Sequence, residues 1–168
     1  VVTGPGARVR PGRRVGGAWL RRLGVARVGA GFVSGAVIEE MRVMTPVLAT
    51  VEAGVGADCG LASNTCALSI TEMAADMKNA ARLVGFHFFN PVPAMPLLEI
   101  VRTPKTSDEV LATAFVLAQA LKKTGVLVQD SAAFVVNRIL LRLMGEVTNA
   151  FDDGTPGGIA DTALRPMG

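Results

Sequence analysis

No run of apolar residues in this 168-residue chain approaches the roughly 18 needed to cross a bilayer, although half of its residues are apolar, so no membrane span is expected. Cysteine is scarce. Cys59 and Cys66 have no neighbouring Cys or His at ligand spacing, which argues against a zinc site, any other metal site or a disulfide framework. A reducing, cytoplasmic setting fits that usage. Histidine occurs once, as His87, so any imidazole chemistry must be carried by that residue. The first 30 residues lack lysine, aspartate and glutamate altogether but hold seven arginines.

That asymmetry makes the net charge of +3 misleading: residues 1–30 contribute +7, whereas residues 31–168 carry ten basic and fourteen acidic groups, or −4. The basic balance belongs to the leader, and the domain that follows is net acidic. Three readings compete for residues 1–30. An Arg-rich, acid-free start resembles an organellar transit peptide, but it has no serine and too much Gly and Pro for an amphipathic helix. A nucleic-acid-binding arm would rest on charge alone, with Trp19 the one ring available for stacking. The third reading is a GC-rich gene translated out of frame, and the abrupt change of composition near residue 30 favours it. A net-acidic domain makes nucleic acid an unsuitable partner.

From Gly31 the pattern alternates short strands with helices, the mark of a parallel α/β sheet. Strands are expected at Phe32–Ile38, Cys59–Ala62, Leu83–Phe89, Leu97–Arg102 and Val126–Asp130. Helices are expected from Thr45 to about Ala53, with Pro46 in the first turn, and from Ile70 to about Ala81. A further helix should run from Ser107 to Thr124, opened by a Thr106–Glu109 capping box and ended by Gly125. Phe134 to about Ala150 reads as a second strong amphipathic helix, and Ile159–Leu164 as a last one.

His87 lies in Gly85-Phe-His-Phe-Phe-Asn-Pro-Val-Pro-Ala-Met-Pro-Leu-Leu-Glu99, with a glutamate twelve positions after it. A carboxylate can fix an imidazole tautomer and stabilise its charged form. A single His among aromatic residues is, taken alone, more often a packed core residue than a catalyst. Two further stretches change that balance: Leu61-Ala-Ser-Asn-Thr-Cys-Ala-Leu-Ser-Ile-Thr-Glu-Met73 and Phe134-Val-Val-Asn-Arg138. Together the three resemble the NAD-dependent L-3-hydroxyacyl-CoA dehydrogenases, above all the dehydrogenase portion of multifunctional fatty-acid β-oxidation proteins. Order and spacing both match: Cys66 to His87 is 21 residues, His87 to Glu99 is 12, and His87 to Asn137 is 50.

The resemblance implies a partial Rossmann-like parallel sheet (31–130) followed by the start of an all-helical substrate and dimerisation domain (131–168). It implies oxidation of a 3-hydroxyacyl-CoA to the 3-ketoacyl-CoA with NAD as cofactor. The partner would be a second copy or a multienzyme complex. His87 would be the base, Glu99 its orienting acid, and Asn137 a hydrogen-bonding residue for the substrate's reacting region. Glu39, Asn64 and Asn90 match positions near the cofactor, although each could equally serve as a turn or cap residue.

The departures matter too. Cys66 stands where the family pattern has a serine that contacts the substrate hydroxyl, and a thiol is the weaker donor. Met44 takes the place of a lysine, and Ala132-Ala133 that of a Pro-Gly pair. Gly29-Ala-Gly31-Phe-Val-Ser34 looks like part of a dinucleotide-binding fingerprint. A different register, Ala30-Gly-Phe-Val-Ser-Gly-Ala-Val-Ile-Glu-Glu-Met41, fits the family's later strand better and puts Glu39 27 residues before Cys66. In that register the glycine-rich turn would lie upstream of this segment. The alternative expectation is therefore a catalytically silent α/β fragment that serves as a structural or interaction module.

Overall fold

The computed structural model describes residues 2–3, 31–35 and 39–165. The leader readings for 1–30 fall, apart from Val2–Thr3, outside the described residues, as do Gly29 and Ala30 of the Gly29–Ser34 fingerprint and the last three positions of the expected Phe32–Ile38 strand. Six strands form one sheet in sequence order: β1 (Val2–Thr3), β2 (Phe32–Gly35), β3 (Gly60–Ser63), β4 (Leu83–Phe88), β5 (Leu97–Arg102) and β6 (Thr124–Gln129). The parallel sheet expected from the sequence is present as β2–β3–β4 and as β5–β6. The join between the two, β4 to β5, is antiparallel. Its physical reason is length. A parallel crossover takes a dozen or more residues, and the short link from Phe89 to Pro96 can only reverse the chain.

Side chains alternate across the sheet. On one face Val33, Leu61, Leu83, Val101 and Val128 pack with Met44, Leu48 and Val51 of α1 (Met41–Gly54) and Ile70 and Met73 of α2 (Ile70–Ala75). On the other, Phe32, Ala62, Val84, Phe86, Leu98 and Ile100 meet Leu111, Ala114, Leu117 and Ala118 of α3 (Asp108–Ala120). His87 and Glu99 share the first face by strand parity, in step with Leu83 and Val101.

Several boundaries differ from the sequence pattern for identifiable reasons. Helix α1 begins four residues before Thr45, because Met41 and Met44 extend its apolar stripe, and Pro46 therefore sits inside the helix. The helix expected to reach Ala81 stops at Ala75, and a single 3-10 turn follows at Ala80–Arg82. Glu52, far away in sequence, accepts the Lys78 and Asn79 N–H groups and holds the chain in a turn there. The cap of α3 is Ser107, whose hydroxyl accepts the Val110 N–H, while Thr106 donates to the Leu83 carbonyl instead. Helix α3 ends four residues early at Ala120. Lys122 takes the left-handed cap conformation, φ 58°, and the Lys123 N–H reaches back to the Ala118 carbonyl.

The chain divides after Phe134 into two compact units. The second holds α4 (Val136–Asp152) and α5 (Gly157–Leu164), which contact each other. Phe134 lies outside the helix it was expected to begin, with φ 52°. Among the described residues no helix is long and apolar enough to cross a membrane.

Close packing at the centre of the first face rests on Gly85. A Cβ placed there would lie 2.5 Å from Val101 Cβ and 3.1 Å from Ile70 Cγ1. Gly85→Ala should therefore destabilise the domain by about 1–3 kcal/mol, the usual range for overpacking a tight core. Urea denaturation read by circular dichroism would check this, and an unchanged midpoint would contradict the packing described.

Candidate active site

The antiparallel register of β4 and β5 pairs Gly85 with Val101 and His87 with Glu99. Directly opposed residues on one face of such a pair stand close enough for their side chains to interact. Glu99 Oε2 lies 2.7 Å from His87 Nδ1. Both side chains are almost completely buried, at 3% and 1% exposure. Against a carboxylate, which only accepts, Nδ1 carries the hydrogen and Nε2 is the nitrogen that exchanges a proton with a reactant. Two aromatic rings flank the imidazole: Phe89 at 4.6 Å between centroids and Phe134 at 5.5 Å.

His87 stands near the carboxyl end of β4, which continues the parallel run from β2 and β3. In open α/β sheets this edge is where ligands bind. Asn64 follows β3 at the same edge, and its side-chain carbonyl accepts the Phe88 N–H at 3.0 Å. Asn64 therefore ties the β3 exit to the strand that carries His87. Glu39 Oε1 accepts the Thr65 hydroxyl at 2.7 Å, the Cys66 N–H at 2.6 Å and the Ala67 N–H at 2.7 Å. Burial pushes the Glu39 carboxyl up, but the bonds from Thr65, Cys66 and Ala67 outweigh it and hold the group below its ordinary value.

Cys66 is exposed in that loop. Partial burial and then the adjacent Glu39 charge push its thiol above the ordinary range, so it stays a neutral thiol and is no activated nucleophile. Asn90 is exposed and precedes a cis bond to Pro91. Asn137 is the second residue of α4, in the other unit, and half-buried. His87, Glu99 and Asn64 are thus brought together at one sheet edge. Glu39 braces the loop after Asn64, and Asn90 lies beyond the strand.

The fit to a dinucleotide is testable at this edge. Ser63, the last residue of β3, has a buried hydroxyl with no partner, and it is the only such buried side-chain atom among the described residues. An unpaired buried hydroxyl is costly unless something meets it. Together with Asn64, at the same end of β3, it would suit a polar group of a bound dinucleotide. No group of metal-binding side chains occurs among the described residues.

The sequence pattern did not single out Asp130. Its carboxylate accepts the Ser69 hydroxyl at 2.9 Å, the Ile70 N–H at 3.2 Å and the Thr71 N–H at 2.7 Å, and so closes the start of α2. The only signal available was an acid directly after a strand, and its partners lie about sixty residues away in sequence.

The chain is similar to several known proteins. Residues 21–131 match the sequence model of the 3-hydroxyacyl-CoA dehydrogenase NAD binding domain. The chain is 41% identical over 133 residues to the fatty acid oxidation complex subunit alpha of Acinetobacter baylyi; the match takes in 79% of this chain but only 18% of that protein. It is also similar to the crystal structure of (S)-3-hydroxybutyryl-CoA dehydrogenase from Ralstonia eutropha, with a TM-score of 0.76 and 35% identity over 80% of this chain and 47% of that one. For 3-hydroxybutyryl-CoA dehydrogenase from Escherichia coli the TM-score is 0.71 at 32% identity, over 74% of this chain and 26% of that one.

The three bonds at Asp130 set a pH dependence. Burial raises the carboxyl, but the hydrogen bonds from Thr71, Ser69 and Ile70 lower it by more, below 3.8. A lowered folded value stabilises the fold above the unfolded value, and the contribution is lost as pH falls through the folded value. Asp130→Asn should therefore cost about 1.5–3 kcal/mol at pH 7, the scale of hydrogen bonds to a charged group. The gap to the parent chain should close as pH falls below 3.8 and through the lowered folded value. Urea midpoints across that range would test it, and a gap that stays constant down to pH 2 would contradict it.

Proposed function

The chain belongs to the 3-hydroxyacyl-CoA dehydrogenase family, matched through its NAD-binding domain, and on that premise we propose that its chemistry is NAD-dependent oxidation of an L-3-hydroxyacyl-CoA to the 3-ketoacyl-CoA, within fatty-acid β-oxidation. The observation that carries this reading is the buried His87–Glu99 hydrogen bond, 2.7 Å long, at the carboxyl edge of the sheet. A His pointed at a buried carboxylate from the facing strand has a fixed tautomer, which a core histidine does not need.

In this reading His87 Nε2 takes the proton of the substrate hydroxyl, or returns it in the reverse direction. Glu99 holds the ring through Nδ1 and stabilises the positive charge that then forms. Asn64 and the loop braced by Glu39 shape the edge beside the nicotinamide, with Ser63 able to donate or accept there. NAD, when bound, supplies the hydride acceptor. Asn137 is proposed for the substrate's reacting region, and Asn90 for the cofactor side, on the resemblance alone. Cys66 in place of a serine gives a weaker contact to the substrate hydroxyl, about 0.5–1.5 kcal/mol poorer if the hydrogen bond is lost outright.

Residues 31–130 would then be the cofactor-binding portion and 131–168 the beginning of a helical domain, in keeping with the division of the chain after Phe134. The matched region covers 18% of the Acinetobacter relative. Substrate range, partnership with a second copy or a multienzyme complex, and a cytoplasmic site of action are parts of the same proposal.

The test pairs two measurements on the folded chain: NADH titration by fluorescence, and reduction of NAD with a short-chain 3-hydroxyacyl-CoA. Saturable NADH binding with turnover is the outcome this reading requires, whereas the silent-module alternative, argued from the register of Glu39, requires neither. His87→Gln should keep the fold and the NADH affinity while lowering turnover at least about 100-fold, in line with removal of a general base. A folded chain with neither binding nor turnover would favour the silent-module alternative. Near-normal turnover in His87→Gln would rule out its role as base.

A further inference from the structure

Two consecutive non-glycine residues, Ala133 and Phe134, adopt left-handed backbone conformations, with φ of 60° and 52°. For a bulky side chain such a conformation is a genuine outlier, and outliers of this kind concentrate where surrounding structure over-determines them, often at functional sites. Here the surroundings are explicit. Asp130, four residues earlier, is bound to Ser69, Ile70 and Thr71 at the start of α2. The Phe134 N–H then donates to the Ser131 carbonyl at 2.9 Å, closing the turn. Glycine would suit the Ala133 position better. The turn is thus forced through an unfavourable backbone, and its product is the placement of one side chain.

That side chain is fully buried, at 0% exposure, in the apolar cluster that contains Ile70, Met73, Leu83 and Val101. Its ring centroid is 5.5 Å from the centroid of the His87 imidazole, inclined at 55°. From this geometry we infer that Phe134 is a positioning residue for His87: it prevents rotation of the imidazole away from Glu99 and keeps water out of the Nδ1–Glu99 hydrogen bond. The inference rests on the reading of His87 as the proton-transfer group, and it extends that reading to a residue that acts through His87. Excluding water raises the strength of the charge-assisted bond, because the local dielectric falls. Fixing the ring preserves the one tautomer that leaves Nε2 for the reactant.

Because His87 is the only histidine, its ring resonances are unambiguous in an NMR spectrum of the whole chain. In the parent chain, nuclear Overhauser contacts between Phe134 and His87 ring protons are expected, together with a downfield Nδ1–H resonance that exchanges slowly with water. Absence of either would overturn the inference without any variant being made. Phe134→Leu retains apolar bulk but no ring, and should accelerate Nδ1–H exchange at least tenfold. Phe134→Ala should accelerate it further. Met73→Ala, cut from the same apolar cluster, supplies the control: its exchange should stay within twofold of the parent even when its thermal midpoint falls as far. Unchanged exchange in the folded Phe134 variants, or equal acceleration in Met73→Ala, would overturn the inference. The exchange readout is independent of turnover, so loss of the Phe134 effect and retention of turnover by His87→Gln would be separate failures.

Discussion

The antiparallel pairing of β4 with β5 is the constraint on which the rest of the site depends. It sets His87 opposite Glu99 and lets a side-chain bond of 2.7 Å form between residues twelve apart in sequence. A slip of one residue would turn Glu99 to the other face and leave His87 opposite an apolar neighbour. The slip is prevented by burial. Leu98 and Ile100 pack under α3 with no exposure, so shifting β5 would expel them from one core and bury a carboxylate in it. Hydrophobic packing on one face therefore holds the polar pair on the other.

A second rule runs through the domain: carboxylates close the turns. Glu39 collects bonds from the loop after β3, Glu52 from the turn after α2, and Asp130 from the start of α2. Each accepts at least two backbone N–H groups that would otherwise be left unsatisfied, the usual difficulty at helix starts and tight turns. Two of the three brace segments adjoining the His87 pair. Glu39 steadies the loop after Asn64, whose side chain in turn holds the Phe88 N–H, and Asp130 anchors the turn that delivers Phe134. Glu39, Glu52 and Asp130 thus work as fixed acceptors, whereas Glu99 is aimed at an imidazole.

How far the fold was legible from sequence varies element by element. Strand β5 has the boundaries its apolar run suggested, and β4 and β6 differ by one or two residues, because alternation and flanking turns are local signals. The premature end of α2 was invisible, since the acceptor responsible, Glu52, belongs to another helix. The cap of α3 shifted by one residue because Thr106 has a tertiary partner in the Leu83 carbonyl. Left-handed Lys122 ended the same helix before Gly125, the residue whose chemistry announced the stop. Ala132-Ala133 stands where the family pattern has Pro-Gly, and Ala133 occupies the φ that glycine adopts without strain.

The sequence by itself determined the α/β alternation, the single imidazole, the twelve-residue interval to Glu99 and the motif order that identified the family. Those properties are written in residue identity and spacing, which no packing can alter. Only the tertiary structure decided which way β5 runs, which carboxylate caps which turn, and that Phe134 leaves the helix to sit against His87. These outcomes depend on competition between distant partners for the same buried volume and the same N–H groups. Such competition is resolved only when both faces of the sheet close.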